Sequence, residues 1–203
     1  MNFIVLAGGE GERLGGDKPF IMLGGVSLLE RVLSVVERAR EPGEEVFIVK
    51  NGCFSGDIRG YHLVDDLWEG CGALGAIYTG ILCSDSFYNF VLPCDTPFLS
   101  VNLIRHMRSH AKNYDVLIPA HSRGIEPLHA IYTKNCLLTV VRHIRKGDMR
   151  ISAILGDMRV KEMSGIAQFG RPERIFFNVN TWGNLAEARS SVEYKHEEAA
   201  NHG

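Results

Sequence analysis

Several signatures are missing from this sequence, and each absence removes a class of answer. No C-x-x-C pair occurs among the five cysteines, an odd number at positions 53, 71, 83, 94 and 136, so neither a disulfide framework nor a cysteine zinc site is favoured. The eight histidines are scattered and no H-E-x-x-H is present, which leaves no zinc-protease signal. No apolar run approaches the roughly 20 residues that span a bilayer, and no charged-then-apolar leader precedes Phe3. With a net charge of −2 the chain has no basic surplus to hold nucleic acid. These absences fit a reduced, cytoplasmic enzyme with no membrane and no nucleic-acid partner.

What remains is a chain of 203 residues with 45% hydrophobic content, the size and core of one α/β domain. Short apolar strands at 3–7, 46–49, 61–64 and 87–92 alternate with amphipathic helices. The first helix, 27 to 40, has Ser27 and Glu30 spaced as a capping box. Further helices are predicted at 73–83, from a Ser100 cap to about 112, from an Asn135 cap to 144, at 151–155 and at 183–190. Strands at 116–119 and 128–133 flank a turn at 121–124. The alternation predicts a three-layer, doubly wound, mostly parallel sheet with one antiparallel strand. One domain over 1–190 is expected, with a polar, fraying tail over 191–203.

In such sheets ligands bind outside the carboxyl ends of the strands, and the polar and glycine residues gather there. After Phe3–Ala7 come glycines at 8, 9, 11, 15 and 16, then Arg13 and Lys18. Glycine lets backbone N–H groups approach a ligand, and successive N–H groups make an anion-binding concavity. A polyphosphate is the expected guest. The loop is neither common phosphate loop: G-x-G-x-x-G fails at Leu14, and a P-loop fails because Asp17 intervenes and Pro19 follows Lys18. The later strand ends carry Asn51, Asp65-Asp66 and Asp95. Asp95, bracketed by Pro93 and Pro97, is a carboxylate fixed at a strand end, suited to Mg²⁺ with phosphate oxygens and water.

Leu6-Ala7-Gly8-Gly9, Arg13, Gly15, Asp17 and Lys18 fall without a gap on L-A-G-G-x-x-x-R-x-G-x-D-K. The stretch resembles the signature of nucleotidyltransferases with a Rossmann-like sheet, and its spacing is most similar to the molybdenum cofactor guanylyltransferase family. Leu92 to Leu99 resembles that family's second motif. Gly72 to Ile77 is similar to G-P-L-x-G-I, with Ala73 in place of proline and Gly75-Ala76 in swapped order. Glu126 to Tyr132 and Phe177 to Thr181 resemble its later segments.

The resemblance implies transfer of GMP from GTP to the phosphate of a molybdopterin-type cofactor, with Mg²⁺ on Asp95. It further implies charge stabilisation by Arg13 and Lys18, nucleotide contacts from Leu6, Ala7, Gly8, Gly9, Lys18 and Asn51, and a guanine partner in Asp66 or Asp65. Asn178 and Asn180 are implied near metal or acceptor, as are Glu126 or His129 near the acceptor. Proteins that deliver or accept the cofactor are implied as contacts. Cys94 is expected to pack rather than attack. The rival expectations are a related enzyme using CTP or another phosphorylated acceptor, and a non-catalytic nucleotide-binding protein.

Overall fold

The computed structural model describes residues 1–8, 18–51 and 58–201, with side chains through 192. The elements in chain order are β1 (Asn2–Leu6), β2 (Met22–Leu23), β3 (Val26–Ser27), α1 (Leu28–Ala39), β4 (Val46–Lys50), β5 (His62–Asp65) and α2 (Gly72–Cys83). Then follow β6 (Tyr88–Pro93), α3 (Val101–Ser109), β7 (Val116–His121), β8 (Gly124–Ile125), β9 (Ala130–Thr133) and α4 (Cys136–Arg145). The chain ends with α5 (Ile151–Leu155), β10 (Val160–Met163), α6 (Pro172–Ile175) and α7 (Trp182–Asn201).

The main sheet runs β10-β7-β9-β6-β1-β4-β5, with β8 pairing β7 off that path. β9 lies antiparallel between β6 and β7, and the remaining neighbours on the path are parallel. Alternation along β1 sends Phe3 and Val5 to one face and Ile4 and Leu6 to the other. The first pair packs in a core with α1 and α3, the second with α2 and α4, which gives the three layers. Gly80 of α2 crosses β1 so closely that an added Cβ would lie 2.3 Å from Ile4 Cγ2. Glycine is needed there for the helix to seat.

Local signals explain most boundaries. Ser27 and Glu30 form the expected reciprocal cap, and the Ser100 hydroxyl accepts from the Leu103 N–H. Asn135 does not cap α4. Its backbone is already helical and its amide donates to the Asp115 carboxylate at 3.0 Å. Asp115 is fixed by Arg159 at 2.9 and 3.0 Å, and that tertiary partner outcompetes the local cap. The Arg159 guanidinium holds the Asp115 carboxyl well below the usual carboxylate range. Strand β10, absent from the sequence expectation, pairs with β7 through this corner. β9 starts at Ala130 rather than 128. The last helix continues to Asn201, past the 190 expected.

A third, smaller core lies under α7. Leu23 and Leu28 meet Val179, Leu185, Ala188 and Val192 there, with Phe98 and Phe177 against its edge. It ties the C-terminal helix to the β2–β3 hairpin. Among the described residues no helix is long and apolar enough to cross a membrane.

Candidate active site

The carboxyl ends of β1, β4 and β6 open on a cleft of about 330 Å³. Its walls include Leu6, Gly8, Lys18, Asn51, Ala73, Ala76, Asp95, Leu128, Asn178 and Asn180. Gly9 and Arg13 lie outside the described residues.

Lys18 opens a short 3₁₀ turn, Lys18–Phe20, that delivers its ammonium into the cleft. The ammonium forms an ion pair with the Asp95 carboxylate and donates to Asn180 Oδ1 at 2.5 Å. Three segments distant in sequence thus converge on one cation. Asp95 follows β6 in a turn tied from two sides. The Cys94 N–H donates to Leu6 O at 3.0 Å, and the Val179 N–H donates to Asp95 O at 2.9 Å. The carboxylate is mostly sheltered, and its Oδ1 is buried without a hydrogen-bond partner among the described residues. A buried anionic oxygen left unpaired costs free energy unless a ligand completes it.

The segment Phe177 to Asn180 alternates like a strand. Phe177 and Val179 turn to the core under α7, while Asn178 and Asn180 face the cleft. Asn184 locks this alternation: its Oδ1 accepts from the Asn180 N–H at 3.3 Å and the Thr181 hydroxyl at 2.9 Å. The Thr181 hydroxyl in turn accepts from the Asn184 N–H at 3.1 Å. The T-x-x-N spacing, close to a capping box, was the available signal for it.

Gly8 and Asn51 touch across β1 and β4. A Cβ on Gly8 would sit 3.1 Å from Asn51 Cγ, so glycine permits this approach. Ala7 spends its N–H on Val49 O at 2.8 Å. Asp66 is placed differently from the rest. It is buried, and its Oδ1 accepts from the Thr79 hydroxyl at 2.7 Å and the Trp68 N–H at 3.1 Å, so it does not reach the cleft lining. Its Oδ2 is buried and has no hydrogen-bond partner among the described residues. Asp65 points to solvent and pairs with Lys50.

The resemblance implies Glu126 or His129 near the second substrate, and neither is among the described residues that line the cleft. Glu126 Oε1 meets His121 Nε2 at 2.8 Å, while His129 is 3% exposed. Leu128, between them, lines the cleft instead. Burial pushes the His129 imidazole down to about 3 and the Cys94 thiol up to about 12. Both are neutral near pH 7, and Cys94 is no nucleophile. His106 on α3 and His110 just past its end stand four residues apart, with ring centroids at 4.4 Å. Among the described residues no group of three His, Cys, Asp or Glu could hold a metal. Any cation in the cleft would rest on Asp95 with amide oxygens, phosphate oxygens and water, a donor set that Mg²⁺ accepts.

Residues 3–162 match the family model described as a MobA-like NTP transferase domain. A protein of Desulfosudis oleivorans named molybdenum cofactor guanylyltransferase is 33% identical over 195 residues, which cover 93% of this chain and 94% of that protein. A probable molybdenum cofactor guanylyltransferase of Pelotomaculum thermopropionicum is 32% identical, with 94% and 92% covered. The crystal structure of molybdopterin-guanine dinucleotide biosynthesis protein A from Archaeoglobus fulgidus superposes with a TM-score of 0.79. It is 25% identical, and the match covers 96% of this chain and all of that one.

Proposed function

The chain belongs to the MobA-like NTP transferase family, and on that premise we propose that it transfers GMP from GTP to the phosphate of a molybdopterin-type cofactor and releases pyrophosphate. One observation carries the reading. A lysine from the first β-to-α crossing and an aspartate from a later one meet in a single cleft, with a buried Asp95 oxygen that has no partner among the described residues.

An acceptor phosphate oxygen attacks the α-phosphorus of GTP. The bond from that phosphorus to the bridging oxygen of the β-phosphate breaks, and pyrophosphate leaves. The attacking group is already an anion, so no general base is required. Alignment and charge neutralisation supply the rate. Mg²⁺, held by Asp95 with help from Asn178 or Asn180, would supply Lewis-acid neutralisation of phosphate charge. The Lys18 ammonium, drawn from Asp95 to the phosphates, offsets charge on the leaving group, and Arg13 does the same. Leu6, Ala7, Gly8, Gly9 and Asn51 bound the nucleoside by backbone and amide contacts. A carboxylate suits the N1–H and N2–H₂ donors of guanine, which adenine lacks; the end of β5 supplies Asp65 and Asp66 for this role, and Asp65 is the exposed one of the two. Asn178 and Asn180 orient the acceptor. The reaction takes place in the cytoplasm, where proteins that deliver and accept the cofactor are the expected contacts.

The test is pyrophosphate release from GTP with Mg²⁺ and a molybdopterin-type acceptor. A thermal-shift competition among GTP, CTP and ATP accompanies it. Stabilisation by CTP alone overturns the guanine assignment, and binding without pyrophosphate release leaves only a nucleotide-binding protein.

A further inference from the structure

Asp95 has to stand in one place for the chemistry above, yet it lies on a turn. β9 runs antiparallel to β6, so the start of β9 lies beside the end of β6, where that turn begins. His129 is the residue immediately before β9. Its side chain therefore reaches the turn from behind, in the core, rather than from the cleft.

The Thr96 hydroxyl, fully buried, donates to Pro93 O at 3.1 Å. Its proton is thus used, and its oxygen is left to accept. His129 Nε2 lies 3.3 Å from that oxygen, so the imidazole carries its proton on Nε2 and donates it. The other ring nitrogen, Nδ1, is buried with no partner among the described residues. The ring is held edge-on by Phe176 at 4.9 Å, and Phe176 is backed by His121 stacked at 5.3 Å. The result is a chain, imidazole to hydroxyl to carbonyl, that closes the turn on which Asp95 stands.

We propose that His129 is a positioning residue for the transfer reaction: through Thr96 it fixes the 93–97 turn so that the Asp95 carboxylate stays facing Lys18. A histidine suits this task because it is rigid, and burial keeps it neutral across the working pH range. An aliphatic side chain would fill the space but would leave the Thr96 oxygen with no donor. The inference rests on the reading of Asp95 given above.

The test uses the whole chain with four substitutions, His129→Leu, His129→Gln, Thr96→Val and Thr96→Ser, read in pyrophosphate release and in crystals. His129→Leu and Thr96→Val should each lower kcat about 10-fold while KM for GTP stays within about twofold, as loss of one internal hydrogen bond at a placed group predicts. The double variant should be no worse than either alone. His129→Gln and Thr96→Ser, which keep a donor and a hydroxyl, should recover to within about threefold. In crystals of the damaged variants the Lys18–Asp95 pair should be broken. Additive losses, an effect on KM alone, wild-type turnover in His129→Leu, or an unmoved 93–97 turn overturns the inference. If His129→Leu does not fold, the Thr96 pair decides. If the wild type releases no pyrophosphate with any acceptor, the functional reading fails, and the crystal comparison alone decides the positioning role.

Discussion

Acidifying the solution from pH 7 to pH 5 should cost this protein about 2 kcal/mol through His129 alone. In the unfolded chain a histidine titrates near 6.5, and in the fold burial lowers His129 to about 3. The unfolded state therefore binds the proton that the folded state refuses. The sign follows: stability from this group is complete above the unfolded value and is lost as pH falls from about 6.5 toward 3. At pH 7 the penalty is only about 0.2 kcal/mol, and at pH 5 about 2 kcal/mol. The wild type alone cannot isolate the effect. His129→Gln can, because glutamine keeps an N–H donor and has no proton to gain. Urea unfolding of both proteins at pH 7 and pH 5 gives four stabilities. The wild type should lose about 2 kcal/mol more than the variant. Equal losses would refute the argument that this imidazole is buried and neutral.

Replacing Lys18 or Asp95 by alanine should each lower turnover by at least ~10²-fold in a pyrophosphate-release assay, the size of losing one placed electrostatic group. Gly80→Ala should destabilise by about 1–3 kcal/mol and lower the melting temperature by several degrees in calorimetry, because its methyl group would collide with Ile4. Thr79→Val takes one of two donors from the buried Asp66 Oδ1, which keeps the Trp68 N–H, and leaves the Leu67 N–H without its acceptor; denaturant unfolding should show a loss of about 1–3 kcal/mol.

The rim of the sheet was legible because its cause is local. Apolar β-branched strands followed by glycine, Asn51 or Asp95 mark where backbone leaves the core and polar groups gather. The caps at Ser27 and Ser100 were legible for the same reason. What escaped depended on partners far along the chain. Asn135 resembles a cap, but Asp115 is its neighbour only once β7 and α4 are in place. β10 carries Lys161 and Glu162 between apolar ends, as an edge strand with two exposed residues does, so no periodic signal announced it. Asp66 follows β5 at a strand end, as its sequence suggests, yet its turn toward Thr79 is set by how α2 packs. His129 and Thr96 stand 33 residues apart and meet only because β9 runs against its neighbours.

The alternation of Phe177 through Asn180 makes the two ends of the chain partners in one task. The asparagines face the cleft only while Val179 is gripped by Leu185 and Ala188 of α7 and by Leu23 and Leu28 near the amino end. A cut ahead of Leu185 would let that ribbon swivel and blunt the cleft from outside it. The carboxy-terminal helix is in this sense a keystone for the cleft wall.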